Sequence, residues 1–123
     1  MTDLTIVLDQ REDWLNANDR SHWARKARIT RYWRDLTATK ARQAGASDMG
    51  RVHVTATFHK PTSRRYDPAN LYPTVKACVD GLVDAGVVRD DDHRHVVGPD
   101  MRAGEPGPRR ITLTIRSLDE EQS

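Results

Sequence analysis

The chain has 123 residues, which is enough for one domain and too short for two of ordinary size. Its 37% hydrophobic and 31% charged residues, with a net charge of only +2, fit a soluble globular domain. No stretch approaches the roughly 20 apolar residues of a membrane helix, so we expect no membrane partner. We expect a single domain over residues 1–118, followed by an acidic tail at 119–123.

The N-terminus and the cysteine content point to one compartment. The opening stretch "MTDLTIVLDQ" has no basic segment followed by an apolar run, so it does not resemble a secretion signal. The single cysteine, Cys78, cannot form an internal disulfide. We therefore expect a cytoplasmic protein.

The first half of the chain predicts a strand, a long helix and a second strand. Alternation in "LTIVLD" and in "RVHVTATFHK" is typical of strands with one buried face. Between them, residues 21–44 contain no glycine or proline and place apolar residues at helical spacing. Asp19 or Ser21 could cap this helix, and Gly45 is a natural breaker. Its predicted buried side comprises Trp23, Ala27, Ile29, Trp33, Leu36 and Ala41.

The second half predicts a shorter helix and two further strands. Asn70 can cap the helix, Pro73 is tolerated in its first turn, and Gly86 follows its end. We expect "VVRDDDHRHVVG" to form a turn between short extended pieces, which could pair as a short strand within residues 87–97. We expect a flexible loop at "PDMRAGEPGP" and a last strand at "RRITLTIRSL". The predicted fold class is therefore α/β: a small single domain whose mixed β-sheet packs against two helices.

Charged residues are unevenly distributed. The long helix carries a basic set: Arg25, Lys26, Arg28, Arg31, Arg34, Lys40 and Arg42. An acidic set comes later: Asp67, Asp80, Asp84, Asp90, Asp91 and Asp92. A metal-dependent enzyme acting on nucleic acid needs both, because phosphates bind cations and divalent metals bind carboxylates. A solvated helix and a solvated loop account for the same charges equally well.

The acidic set could converge around the second helix. Lys76 and Asp80 are four residues apart and share a helix face, while Asp67 precedes the helix. Asp91 follows it, so convergence requires the chain after Gly86 to run back along the helix. Two or three carboxylates suffice for Mg²⁺, and a nearby lysine can offset charge in the transition state. A helix-surface ion pair between Lys76 and Asp80 is the simpler alternative.

The stretch "DPANLYPTVKACVDGLVDAGVVRDDD" resembles the RusA-type Holliday junction resolvases. That family's signature is Asp-x-Asp-Asn-Leu, then a helix with Lys-Ala-x-x-Asp-x-Leu, then Ala-Gly and a paired Asp-Asp. Here "KACVDGL" begins at Lys76, and the acidic pair lies within Asp90–Asp92. Asp67 and Asn70 fall on the family's first acid and its asparagine, and the spacing from Lys76 makes Asp91 the match for the later catalytic aspartate.

The resemblance extends over most of the chain but departs from the signature at two places. Asn16 and Asn18 resemble an asparagine-containing N-terminal loop of the family, and "VHVTATFHKP" lies where the family has a strand. Ala69 replaces the family's second acid, and "YPT" is inserted before Lys76. The loss of a ligand weakens or abolishes catalysis unless Asp80 or another nearby acid compensates.

The resemblance implies a homodimeric, Mg²⁺-dependent endodeoxyribonuclease, of bacterial or phage origin, that resolves four-way DNA junctions. Mn²⁺ is an expected substitute metal. The implied catalytic residues are Asp67, Asn70, Lys76 and Asp91. The expected metal ligands are Asp67, Asp80 and Asp91. The expected DNA contacts are Arg25, Lys26, Arg28, Arg64 and Arg65.

Two other functions stay open. A DNA-binding protein of the same fold, inactivated by Ala69, would bind junctions without cutting them. A cytoplasmic interaction domain with an acidic loop would show no salt-sensitive DNA binding.

Several other residues have simpler interpretations. His93 and His95 alternate as strand residues would and could bind Zn²⁺, but no second ligand pair is evident. Cys78 is predicted to be a buried, inert thiol. The tryptophans, Trp14, Trp23 and Trp33, are predicted to lie in the core or an interface, with stacking on an unpaired base open to the first two.

Overall fold

The structure, a computed structural model, describes residues 3–9 and 11–119. The predicted acidic tail lies outside the described residues except for Asp119, which accepts a hydrogen bond from the Arg51 amide at 3.0 Å. Its helices are α1 (Trp23–Gln43) and α2 (Tyr72–Asp84), the latter preceded by a 3₁₀ turn at Pro68–Leu71. Its strands are β1 (Asp3–Asp9), β2 (Val52–His59), β3 (Val96–Ala103) and β4 (Arg110–Ser117).

The four strands form one mixed sheet in the order β1-β4-β2-β3. β1, β4 and β2 are antiparallel neighbours, and β3 runs parallel to β2. Alternate residues of β2 and β4 are buried, as the period of two predicts, and they share one core with buried residues of both helices. The predicted mixed sheet packed against two helices is confirmed. In the part of the chain that the structure describes, no helix is long and apolar enough to cross a bilayer.

The prediction for the third strand was wrong in position. We expected a strand at 87–97 and a loop from Pro99, but residues 87–95 form turns and β3 begins at Val96. The strand carries an irregularity beside Val54, where the register with β2 shifts. Gly98 lies at this point with φ +96°, and a Cβ there would sit 2.8 Å from the Val54 carbonyl oxygen. Glycine and proline, which signalled a loop in the sequence, here accommodate a bulge in a strand.

The helix starts also differ from the predicted ones. The His22 ring, not Asp19 or Ser21, caps α1 by accepting a hydrogen bond from the Ala24 amide at 3.1 Å. Asn70 does not cap α2, because it lies inside the 3₁₀ turn. Proline in the first turn of α2 and a left-handed glycine after each helix agree with the prediction. Trp23, predicted to face the core, is 74% exposed because α1 begins at this residue.

The two helices cross in close contact at Gly81. A Cβ at this position would lie 2.3 Å from the Arg34 carbonyl oxygen, so only glycine allows the observed approach. One turn further along α2, the Arg34 guanidinium donates two hydrogen bonds to Asp84, at 2.6 and 2.8 Å. This pairing lowers the pKa of the Asp84 carboxyl. The contact fixes the position of α2 relative to α1 and the sheet.

We expect Gly81→Ala to lower the free energy of unfolding by about 2 kcal/mol. Overpacking against backbone costs about 3 kcal/mol, and the better helix propensity of alanine returns about 1 kcal/mol. Urea unfolding measures the change. Gly107→Ala is the matched control, since the nearest atom to its added methyl belongs to the flexible Arg110 side chain, at 3.2 Å. Equal stabilities for the two variants would contradict the close-contact interpretation.

Candidate functional site

Lys76 joins two aspartates that come from different parts of the chain. Its ammonium donates a hydrogen bond to Asp80 Oδ1 at 2.7 Å and another to Asp91 Oδ2. Asp80 is one turn further along α2, whereas Asp91 lies beyond the end of the helix. The chain therefore returns along α2 far enough for Asp91 to contact Lys76, which is the return that convergence of the acidic set requires.

Turns, rather than the predicted short strand, bring Asp91 back. Gly86 adopts φ +78° after α2, and its carbonyl accepts a hydrogen bond from the Asp48 amide at 2.7 Å. Val87 and Val88 are then buried, which anchors the returning segment in the core. The neighbouring acids stabilise local turns: Asp90 accepts from the Asp91 amide at 2.7 Å, and Asp92 accepts from the Arg94 amide at 3.0 Å.

The ionisation of this cluster follows from its contacts. Hydrogen bonding and charge attraction from Lys76 lower the pKa of the Asp91 carboxyl. For Lys76, partial burial disfavours the charged form, but the hydrogen bonds to Asp80 and Asp91 outweigh it and raise its pKa. These two shifts both favour the charged forms of Asp91 and Lys76, and so strengthen the ion pair between them.

Asp67 lies in a different cavity from Asp91. Its Oδ1 accepts a hydrogen bond from the Ala69 amide at 3.1 Å and so caps the 3₁₀ turn. It lines a cavity of about 320 Å³, together with Trp14, Asn16, Lys60, Tyr66, Asn70, Leu71 and Arg109. Asp91 and Lys76 instead line a smaller cavity of about 50 Å³ beside Tyr72 and Gly98.

The structure thus brings Asp80 and Asp91 together at Lys76, whereas Asp67 lines a different cavity. Within residues 3–9 and 11–119, no group of three or more His, Cys, Asp or Glu side chains is arranged to hold a metal ion. The ligand set of three aspartates stays a prediction.

Buried Thr74 holds the N-terminal loop against α2. Its hydroxyl accepts a hydrogen bond from the Leu15 amide at 2.6 Å and donates one to the Leu15 carbonyl at 2.9 Å. The Ala17 amide donates to the Asn70 carbonyl at 2.7 Å. These bonds place Asn16 beside Asp67 and Asn70. Sequence reasoning missed Thr74, although it is a lone hydroxyl at the apolar start of α2.

The predicted DNA-contacting cations fall into two environments. Arg64 and Arg65 are exposed and line a cavity of about 280 Å³ together with Lys60. On α1, in contrast, Arg25 pairs with Asp13 and Asp19, and Arg28 pairs with Glu12. These ion pairs partly neutralise the basic helix that the sequence suggested. The DNA contact expected of Lys26 stays a prediction.

The remaining predicted residues have structural roles. Cys78 is buried, as predicted, and burial raises the pKa of its thiol to about 12, so it is a poor nucleophile. His93 and His95 lie in a turn rather than a strand, and His95 Nδ1 is 2.7 Å from Asp92 Oδ1. Trp33 is fully buried in the core.

Comparisons with known proteins give little functional information. No model of a known protein family matches the chain. A Xylella fastidiosa protein described as uncharacterized is 27% identical over 128 residues, covering all of this chain and 81% of the relative. Among solved structures, the thiamine-monophosphate kinase of Stenotrophomonas maltophilia has 13% identity and a TM-score of 0.39, and the match spans 93% of this chain and 29% of the kinase. A likeness this weak carries no functional argument.

We expect Thr74→Val to lower the free energy of unfolding by about 2–6 kcal/mol. The substitution keeps the volume but leaves the buried Leu15 amide and carbonyl unpaired, at about 1–3 kcal/mol each. Urea unfolding is the measurement. Thr39→Val, an exposed position on α1, should change stability by less than about 0.5 kcal/mol. Similar effects for both would contradict the role assigned to Thr74.

We expect Lys76→Met to raise the pKa of the Asp91 carboxyl toward or above its usual value near 3.8. Because the folded pKa is depressed in the wild type, this ionisation stabilises the fold above the usual pKa. The stabilisation is lost as the pH falls through the depressed pKa. NMR titration of the carboxyl carbon measures both proteins, and an unchanged Asp91 titration in the variant would contradict the ion pair.

Proposed function

We propose that the chain is a Mg²⁺-dependent endodeoxyribonuclease that cuts four-way DNA junctions, with Mn²⁺ as a substitute metal. The observation that carries the proposal is the convergence of Asp80 and Asp91 on the Lys76 ammonium, at the positions where the sequence resembles a junction resolvase. The simpler alternative, a helix-surface ion pair, involves only Lys76 and Asp80. It does not account for the contact of Lys76 with Asp91, which lies beyond the end of α2.

The carboxylate oxygens of Asp80 and Asp91 are chemically suitable ligands for a divalent cation. Two carboxylates from separate segments already meet at one cationic group, and Mg²⁺ prefers oxygen ligands. In the proposed enzyme Asp67 and Asp91 hold the metal with help from Asp80, and Asn70 lies beside Asp67. When bound, the metal would polarise the scissile phosphate and activate water.

The chain's own residues would supply positioning and charge. Lys76, carried on a buried helix, offsets negative charge that develops on the phosphate. Arg64 and Arg65 are exposed beside Asp67 and can bind backbone phosphates. Lys26 on α1 can extend this contact, as can Arg25 and Arg28 once DNA phosphates compete with their acidic partners.

A homodimer matches the two-fold symmetry of a four-way junction, because it presents two active sites for paired cuts. We propose this assembly for the active form, in the cytoplasm of a bacterium and with a phage or prophage as a source.

A junction-binding protein without nuclease activity is the second candidate. Ala69 supplies no side-chain oxygen ligand, and Asp67 and Asp91 line separate cavities. Both observations favour binding without cleavage.

A cleavage assay on a labelled synthetic four-way junction separates the two candidates. We expect paired nicks with Mg²⁺ or Mn²⁺ and none in EDTA. Asp67→Asn, Asp91→Asn and Lys76→Met should each slow nicking by about 100-fold or more while junction binding persists. Asp100→Asn is the matched control, because this carboxylate contacts His53 on β2 instead.

Three outcomes would count against the proposed enzyme or its assigned site. Salt-sensitive binding without nicking by the wild type, with either metal, supports the second candidate. Nicking that survives Asp91→Asn would overturn the assigned site. An absence of salt-dependent binding leaves only a protein-interaction domain.

A further inference from the structure

Two adjoining cavities form a groove beside Asp67. The first, of about 280 Å³, is lined by Lys60, Arg64, Arg65 and Tyr66 among others. The second, of about 320 Å³, is the cavity that contains Asp67. Lys60 and Tyr66 line both cavities, and the Lys60 ammonium lies 4.1 Å from the centre of the Tyr66 ring. The two cavities therefore adjoin at Lys60 and Tyr66, and we refer to the pair of cavities as the groove.

The first end of the groove has the chemistry of a phosphate site. Arg64 and Arg65 are exposed, Lys60 is half-buried, and the hydroxyl-bearing Thr62 and Ser63 line the same wall. Cations and hydroxyls are the groups that contact nucleic-acid phosphates most often.

The second end has the chemistry of a nucleobase site. The Trp14 ring lies at its wall, and the Arg109 guanidinium lies over that ring at 5.1 Å. Arg109 is exposed, so its outer plane is available to stack on a flat ring.

Hydrogen-bonding groups at this end are in part unused. The Trp14 Nε1 donor is buried and has no hydrogen-bond partner in the described part of the chain. The Asn16 side-chain oxygen accepts a hydrogen bond from the Asn18 amide at 2.8 Å. The side-chain amino group of Asn16 is left to donate. Asn70 and Asp67 add an amide and a carboxylate at the same wall. The Asn16 amino group and the Asn70 and Asp67 side chains match the donors and acceptors at the edge of a base.

We propose that this groove seats one unpaired nucleotide of the DNA substrate. Its phosphate binds Lys60, Arg64 and Arg65, and its base enters the cavity of Trp14, Asn16, Asn70 and Arg109. The identity of the substrate rests on the proposed function. The groove adds a requirement, which is that one base leaves the stacked bases of the DNA helix in order to bind. Unpairing costs least where the base is already unpaired, as at a branch point.

The test compares DNAs of equal length and charge in EDTA, where no cleavage occurs. One labelled duplex carries a single unpaired nucleotide, and a second carries an abasic unit at the same place. By fluorescence anisotropy, we expect wild-type protein to bind the first about tenfold more tightly, as stacking on one base predicts. Arg109→Gln should abolish this preference, since it removes the stacking plane while the net charge of both DNAs stays equal.

Two further variants distinguish the ends of the groove. Combined Arg64→Gln and Arg65→Gln should weaken binding to both DNAs and keep the preference for the base. Arg89→Gln removes one positive charge, as Arg109→Gln does, at a side chain that is 78% exposed and lines neither cavity. This control variant should keep the preference for the base.

The outcomes separate this proposal from the nuclease. Equal affinity of wild-type protein for the two DNAs, or a preference that survives Arg109→Gln, overturns the base site even if junctions are cut. A preference that Arg109→Gln abolishes, in a protein that never cuts DNA, supports the base site and overturns the nuclease. Failure to bind either DNA at low salt overturns both.

Discussion

The burial of α2 is the constraint on which the rest of the structure depends. Gly81 lets the helix approach α1 so closely that no side chain fits between them. Thr74 ties the N-terminal loop to the start of the helix through two hydrogen bonds. With its backbone held from both sides, α2 presents Lys76 at a fixed place, where Asp91 meets it.

This arrangement sets the electrostatic behaviour of the proposed site. Asp80 and Asp91 share one ammonium, so the cluster contains two acidic side chains and one basic side chain. A divalent cation that binds the same oxygens must compete with Lys76. Under the proposed function, DNA would favour that exchange, because a phosphate would offer the displaced ammonium a new partner and the metal an additional ligand. In this account, tight metal binding requires bound DNA.

Much of the fold could be predicted from the sequence, for reasons visible in particular residues. Apolar residues at every second position predict a strand with one buried face. These residues are Val52, Val54, Ala56 and Phe58, and all four are buried. β3 could not be predicted, because Gly98 and Pro99 usually mark a loop, and only pairing with β2 shows that they lie in an irregular strand. Trp23 is exposed because α1 begins at this residue. The start of α1 is capped by the His22 ring and not by the predicted Asp19 or Ser21.

The candidate site was predictable in part. Spacing placed Lys76 and Asp80 on one helix face, but the contact with Asp91 depended on how the chain returned after Gly86. The position of Asp67 in a separate cavity depends on the 3₁₀ turn that it caps, and sequence spacing carries no signal for that turn. Arg109 and Trp14 are distant in sequence, and only the folded chain brings them together.

The central claim is that Asp67 and Asp91 bind one divalent cation when DNA is present. A crystal structure of the chain with a four-way junction, grown with Ca²⁺ as a cation that takes the same oxygen ligands, tests it most directly. The account predicts one ion within about 2.3–2.6 Å of a carboxylate oxygen from each aspartate, with Lys76 turned toward a phosphate. Bound junction DNA with Lys76 still joining Asp80 and Asp91, and no ion shared by Asp67 and Asp91, would contradict it.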